Sequence, residues 1–189
     1  LSDIQASDMS GDGIQDIFMS LNNGEGARFH FSVGGLSNYS FQEADIGTEY
    51  KLYNAKSQIV DLNNDGKKEI ISLGLTGNTS SSKLKLYVLE LDNTLVPFKL
   101  KITDQSEKIS TLTASSFDFG DYDGDQDIDF LISGFSASDG LSSLLYQNNT
   151  EPGGDLSIAS SANDFVAVRD GTTDFIDFDS DGDLDVIYT

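Results

Sequence analysis

Four copies of one nine-residue acidic loop recur along this chain at nearly even intervals, and a local pattern that repeats calls for a local structure that repeats. The loops read DMSGDGIQD from Asp8, DLNNDGKKE from Asp61, DYDGDQDID from Asp121 and DFDSDGDLD from Asp177. Each carries oxygen-bearing side chains at loop positions 1, 3, 5 and 9. Turn chemistry accounts for Asp, Asn and Gly between strands. It does not demand an acid at position 9 in every copy.

Alternate positions 1, 3 and 5 let a tightly curled backbone aim three side chains inward, position 7 offers a carbonyl and position 9 closes the shell. That is how a short segment gathers hard oxygen donors on one Ca²⁺. Loop one would use Asp8, Ser10, Asp12, the carbonyl of Ile14 and Asp16. Loop two offers Asp61, Asn63, Asp65, the carbonyl of Lys67 and Glu69, and loop three Asp121, Asp123, Asp125, the carbonyl of Asp127 and Asp129. Loop four has Asp177, Asp179, Asp181, the carbonyl of Asp183 and Asp185. Up to four ions are expected. Gly13, Gly66 and Gly182 occupy position 6, where a sharp turn favours positive φ, whereas loop three has Gln126 there.

An EF-hand needs a bidentate Glu at position 12 and flanking helices. Here position 12 is Met19, Ser72, Ile132 and Tyr188, which excludes it. After position 9 the chain runs into short apolar stretches at 17–19, 70–73, 130–132 and 186–188. These are expected to be strands buried on both faces, each loop joining two strands of a sheet. The loop starts lie 53, 60 and 56 residues apart, close to the period of propeller blades. Around loop three, strands are expected over 112–119, 129–133, 142–147 and, with an interruption, 156–168; around loop two, over 58–62, 69–73, 83–91 and 95–102. Four antiparallel strands per unit, repeated radially, make an all-β propeller.

The loops and their flanks resemble the FG-GAP/VCBS repeats of the integrin α-subunit propeller and of many secreted bacterial proteins, the bacterial versions most of all. The stretch FDFGDYDGDQDIDFLISG over 117–134 carries the likeness best, including the Phe119-Gly120 pair. Departures are the missing Gly-Ala-Pro element, Ser10 at position 3 and Gln126 at position 6. The resemblance runs from Leu1 to Thr189 and implies one propeller domain, with blade repeats starting near 1, 55, 112 and 172 and Ca²⁺ held between the first two strands of each blade. About three and a half blades fit in the chain. Since a propeller closes with at least four, further blades are expected from a longer polypeptide or from another chain.

With 32 acidic against 11 basic residues the net charge is -21, so self-repulsion opposes the compact metal-free state. Four divalent ions would leave about -13 by simple addition. Nucleic acid requires a basic surface and is not an expected partner, and neither is an anionic membrane. No stretch approaches the ~20 apolar residues of a membrane span. The chain has no Cys, which points away from a disulfide-stapled animal ectodomain and towards a bacterial exported protein held by calcium. Loops of this kind fill outside the cell, where calcium is abundant. An extracellular or cell-surface location is therefore expected.

Catalysis is not expected. The one imidazole, His30, alternates between Phe29 and Phe31 as an outward strand residue, and a general base needs a positioned partner. The acids outside the loops, Asp45, Glu49, Asp104, Glu107, Asp155 and Asp164, read as solvated turn residues. Two function classes remain: a non-catalytic propeller for adhesion or recognition of a protein or glycan at the cell surface, and a carbohydrate-binding accessory propeller of a secreted carbohydrate-active enzyme.

Ligand charge tunes affinity, so loop four, with four carboxylates and Gly182, should bind calcium best. Loop one, with Ser10 in place of an acid, should bind weakest. Titration calorimetry on variants with single loops disabled checks the order, and a tightest loop one would overturn the charge argument.

Overall fold

The computed structural model describes residues 3–21, 26–35, 37–47, 49–77, 79, 82–92, 94, 98–110, 112–136, 140–162, 165–168 and 171–189. Among these, all regular structure is β apart from one 3-10 turn at Ser106–Lys108. The first antiparallel sheet runs in the order β1 (Asp3–Ser7), β2 (Asp16–Ser20), β3 (Ala27–Gly35) and β4 (Asn38–Glu43). The second is β5 (Tyr53–Val60), β6 (Glu69–Leu75), β7 (Leu84–Asp92) and β8 (Lys99–Asp104). The third is β9 (Thr113–Gly120), β10 (Asp129–Ser136), β11 (Gly140–Asn148) and β12 (Ile158–Ala162), and a two-stranded sheet of β13 (Thr173–Ile176) and β14 (Asp185–Tyr188) follows. Neighbours in sequence are neighbours in each sheet, so consecutive strands within a sheet pair as antiparallel hairpins. The expected four-strand unit is present.

Each acidic loop is the turn of the first hairpin in its sheet. The pairs Ser7↔Asp16, Val60↔Glu69, Gly120↔Asp129 and Ile176↔Asp185 close that hairpin at the same register, with the residue before position 1 opposite position 9. The repeat is therefore one of geometry as well as of sequence.

Two compact units are present. One comprises Leu1–Asp61, Gly66–Thr79 and Lys85–Glu107; the other comprises Leu62–Asp65, Ser80–Leu84 and Lys108–Thr189. In the first, Phe18, Phe29, Phe31, Tyr50, Leu52 and Ile70 belong to one buried apolar cluster. The phenol of Tyr50 keeps its burial tolerable by meeting Ser72 Oγ at 2.6 Å and Ser20 Oγ at 3.3 Å. Burial pushes that phenol above its usual pKa, and the serine hydroxyls act against the shift. In the second unit the rings of Phe130 and Tyr146 stack with centroids 5.1 Å apart.

Within each unit the first strands of successive sheets are stitched by side chains. Asp3 Oδ2 accepts the Ser57 N–H at 2.6 Å in one, and Ser116 Oγ accepts the Thr173 N–H at 2.6 Å in the other. Asp3 and Ser116 both lie five residues before position 1 of their loops, and Ser57 and Thr173 both four before. Asp118 Oδ2 adds a bond from the Phe175 N–H at 2.8 Å.

Four expectations need correction. The stretches after position 9 are not uniformly buried on both faces: β6 is buried throughout and β10 nearly so, but β2 alternates buried with half-buried and β14 has no buried residue. Among the described residues β14 pairs only with β13, so its outer face keeps solvent contact. The strand expected at 58–62 starts earlier, at Tyr53, and ends at Val60, because a register shift between Tyr53 and Lys56, with Asn54 at φ 49°, hides the period-2 pattern. The strand expected at 95–102 is β8, shifted to Lys99–Asp104, with 95–97 outside the described residues; that expected over 156–168 is confined to Ile158–Ala162, with 163 and 164 likewise outside.

The shift in β5 brings backbone against backbone. A Cβ placed on Gly74 would lie 2.9 Å from Leu52 Cβ and 3.1 Å from Ala55 Cα. Gly74→Ala should destabilise the chain by about 1–3 kcal/mol through overpacking. A urea-unfolding midpoint unchanged from wild type would show that the close approach is absent.

Candidate metal centres

The loop backbone is the first part of the site. Position 6 has positive φ in all four copies: Gly13 84°, Gly66 86°, Gln126 78° and Gly182 99°. Gln126 therefore obeys the turn without being glycine. Position 4 is left-handed as well, with Gly11 at 78°, Asn64 at 53°, Gly124 at 76° and Ser180 at 63°. Sequence reasoning missed that second position. The signal was there in Gly, Asn and Gly, residues that tolerate this region, and Ser180 broke the pattern. Two left-handed residues separated by one curl the backbone so that its N–H groups face the side chain at position 1.

That side chain collects them. Asp8 Oδ1 accepts from the Gly11 N–H at 2.8 Å and Oδ2 from the Gly13 N–H at 2.8 Å. Asp121 Oδ2 accepts from the Gln126 N–H at 3.0 Å, and Asp177 Oδ2 from the Gly182 N–H at 3.2 Å. Position 5 then takes the N–H of position 7: Asp12 from Ile14 at 2.8 Å, Asp125 from Asp127 at 2.9 Å and Asp181 from Asp183 at 3.0 Å. Loop two is divided, with Asp61, Lys67 and Glu69 in the first unit and Asn63 and Asp65 in the second. In the first, Asp61 Oδ2 accepts the Gly66 N–H at 2.9 Å; in the second, Asn63 Oδ1 accepts the Asp65 N–H at 3.2 Å.

Position 9 ties the loop to the sheet. Asp16 Oδ2 accepts the N–H groups of Met9 and Ser10, each at 2.9 Å, while Oδ1 accepts the Ser32 N–H of β3 at 2.8 Å. Asp129 repeats this, with Oδ2 on the Tyr122 N–H at 3.0 Å and Oδ1 on the Asn148 N–H of β11 at 2.9 Å. Asp185 Oδ2 takes the Phe178 N–H at 3.0 Å. Asp16 and Asp129 are fully buried. Burial pushes the Asp129 carboxyl up to about 6, with Asp123 and Asp125 adding to the rise and the two backbone N–H groups opposing it.

The carboxylates converge in two loops. Oxygens of Asp121, Asp123 and Asp129 lie within 4.8 Å of one another, as do those of Asp177, Asp179 and Asp181. Asp125 and Asp185 stand outside these groups. Among the described residues, loops one and two form no such group of three. In loop one the hydroxyl of Ser32 reaches both oxygens of Asp12, at 3.0 and 2.9 Å, and Asp16 Oδ1 at 3.2 Å. Two oxygens expected to be ligands, Asp121 Oδ1 and Ser10 Oγ, are buried and find no hydrogen-bond partner. A buried acceptor left unpaired is costly, and a hard cation inside the loop is the chemistry that satisfies it. The residues present fit such an ion.

The remaining acids play other parts. Asp45 lies 3.7 Å from Lys99, and Asp104 2.5 Å from Lys85, so both are surface ion pairs and not merely solvated. Glu49, Glu107 and Asp155 are exposed, and Asp164 lies outside the described residues. His30 is half-buried between the buried Phe29 and Phe31. Among the described residues no helix is long and apolar enough to cross a membrane.

Fold and loops together define an all-β repeat protein of four-stranded antiparallel sheets with an acidic turn in the first hairpin. A family model described as an FG-GAP-like repeat matches residues 61–132, from the start of loop two into β10, and the chain carries a repeat of that family there. No curated protein matches the chain.

A non-glycine residue at positive φ is strained. Gln126→Gly should therefore stabilise the chain, by about 0.5–1 kcal/mol, and a thermal or urea midpoint that falls would show that the Gln126 side chain has a role of its own.

Proposed function

We propose that this chain is part of a calcium-binding β-propeller that acts outside the cell in adhesion or ligand recognition, with structural ions and no catalysis. The observation that carries the reading is Asp121 Oδ1, buried without a hydrogen-bond partner in a loop where Asp121, Asp123 and Asp129 converge. The FG-GAP-like repeat over 61–132 supports the propeller and the extracellular setting. The net charge of -21 supports a protein or glycan partner over a nucleic acid. A structural role for the ions is supported by how the acids are employed: Asp8, Asp16, Asp121, Asp129 and Asp177 hold backbone N–H groups of their own loops, so each belongs to the turn it would load.

An ion that binds the folded state and not the unfolded one stabilises it by mass action. Chelator should lower the melting temperature and open the hairpins to protease, and Ca²⁺ should restore both. Asp181→Ala should lose part of that calcium-dependent gain. Asp129 adds a pH signature. Its folded pKa, about 6, stands above the ordinary 3.8, so the metal-free fold binds the extra proton and loses stability as pH rises through that window. Calcium at loop three needs the carboxylate, so binding should weaken as pH falls below about 6 and release a proton there. A melting curve indifferent to chelator at neutral pH would sink the reading. Metal-dependent turnover of a polysaccharide or peptide, abolished by Asp181→Ala, would show a catalytic centre instead.

A further inference from the structure

Asn148 closes β11 and is 1 % exposed, with its backbone N–H and both side-chain polar atoms engaged. Its backbone N–H donates to Asp129 Oδ1 at 2.9 Å, and its Oδ1 accepts from the Thr150 N–H at 3.2 Å and the Thr150 hydroxyl at 2.5 Å. Its amide Nδ2 crosses to donate to the carbonyl of Leu62 at 3.1 Å. Three more bonds hold the next two residues: the Gly153 N–H donates to the Asn63 carbonyl at 2.7 Å, Asn63 Nδ2 to the Gly154 carbonyl at 3.4 Å, and Asn64 Nδ2 to Asp127 Oδ1 at 2.7 Å. All of these residues belong to the second unit. The short segment Leu62–Asp65 is thus fastened through Asn148 and Asn64 to Asp129 and Asp127, positions 9 and 7 of loop three.

We propose that Asn148 and Asn64 are positioning residues which make the order of the Leu62–Asp65 segment depend on an ion held by loop three. The inference rests on the calcium reading of that loop. An ion that draws in the carbonyl of Asp127 and a carboxylate oxygen of Asp129 fixes the two residues to which the segment is tied. Asn63 and Asp65 are themselves oxygen donors at positions 3 and 5 of loop two, so the segment that gains order is one that presents donors. Coupling between two such events is reciprocal. Asn64 shows why an amide stands here: its φ of 53° suits Gly or Asn, and of the two only Asn reaches Asp127.

The test follows amide hydrogen exchange of 62–65 in the full chain during calcium titration. Terbium luminescence excited through tyrosine, taken as the part of the signal lost in Asp123→Ala, reads loop three. In wild type, exchange of the segment should slow at least about fivefold, within the usual span of such couplings. Asp123→Ala, an exposed change outside the segment that removes one of the three converging carboxylates, should abolish the slowing. Asn64→Gly keeps the positive φ and removes the amide, and it should reduce the slowing while loop three still binds terbium; Asn148→Ala should reduce it further. Absence of any ion at loop three would sink the calcium reading itself. Binding at loop three with unchanged exchange at 62–65, or slowing in Asp123→Ala equal to that of wild type, would overturn the coupling alone. A wild-type response in both Asn64→Gly and Asn148→Ala would overturn the route, and if Asn148→Ala fails to fold, Asn64→Gly decides.

Discussion

The carboxylate at position 9 is the tie on which the repeat depends. In Asp16 and Asp129 one oxygen takes an N–H from the start of the loop and the other takes an N–H from the third strand. One side chain therefore closes the turn and docks it on the sheet, and this requires a residue that accepts on both sides. A buried carboxylate satisfied only by neutral dipoles remains an uncompensated charge. The rise of Asp129 to about 6 expresses that cost. The same group that builds the hairpin thus makes a counter-ion favourable.

Much of this was legible in the sequence because loop and hairpin are local. Spacing alone located the turns, the two strands each one joins and the acids around them, and the apolar runs 70–73 and 130–132 fall in β6 and β10. What escaped was set by partners distant in sequence. β5 begins at Tyr53 because it pairs across an irregularity with Leu75, and no period within 53–57 shows it. The stitches from Asp3 to Ser57 and from Ser116 to Thr173 join residues 54 and 57 apart. Nothing in a local window marks Asp3 as a hydrogen-bond acceptor for another sheet.

The left-handed residue at position 4 is an instructive miss. A search for glycine finds position 6 in three loops and position 4 in two, yet all eight sites adopt positive φ. Gln126 and Ser180 are carried there by the rest of the loop, whose N–H groups are already committed to Asp121 and Asp177 or to neighbouring carboxylates. Propensity is a weak constraint where several hydrogen bonds act together. The acids, not the glycines, specify this turn.

That hierarchy also bears on how the four loops differ. Counting acids separates loops three and four from loops one and two, but the third strand supplies a second criterion. In loop one the third-strand residue is Ser32, whose single hydroxyl proton is shared among Asp12 and Asp16, so these two carboxylates are drawn towards the sheet. In loop three the corresponding place is held by Asn148, which bonds Asp129 through its backbone and spends its amide elsewhere; Gln147 beside it donates instead to Asp123 Oδ2 at 2.8 Å. Asp121 Oδ1 is then left facing inward with no donor. An incoming cation at loop one must displace the Ser32 hydroxyl proton from its carboxylates and finds only the neutral Ser10 hydroxyl bare, whereas at loop three the bare oxygen belongs to a carboxylate. The identity of the third-strand residue, far from the motif in sequence, therefore sets how much of each loop's charge is available to an ion.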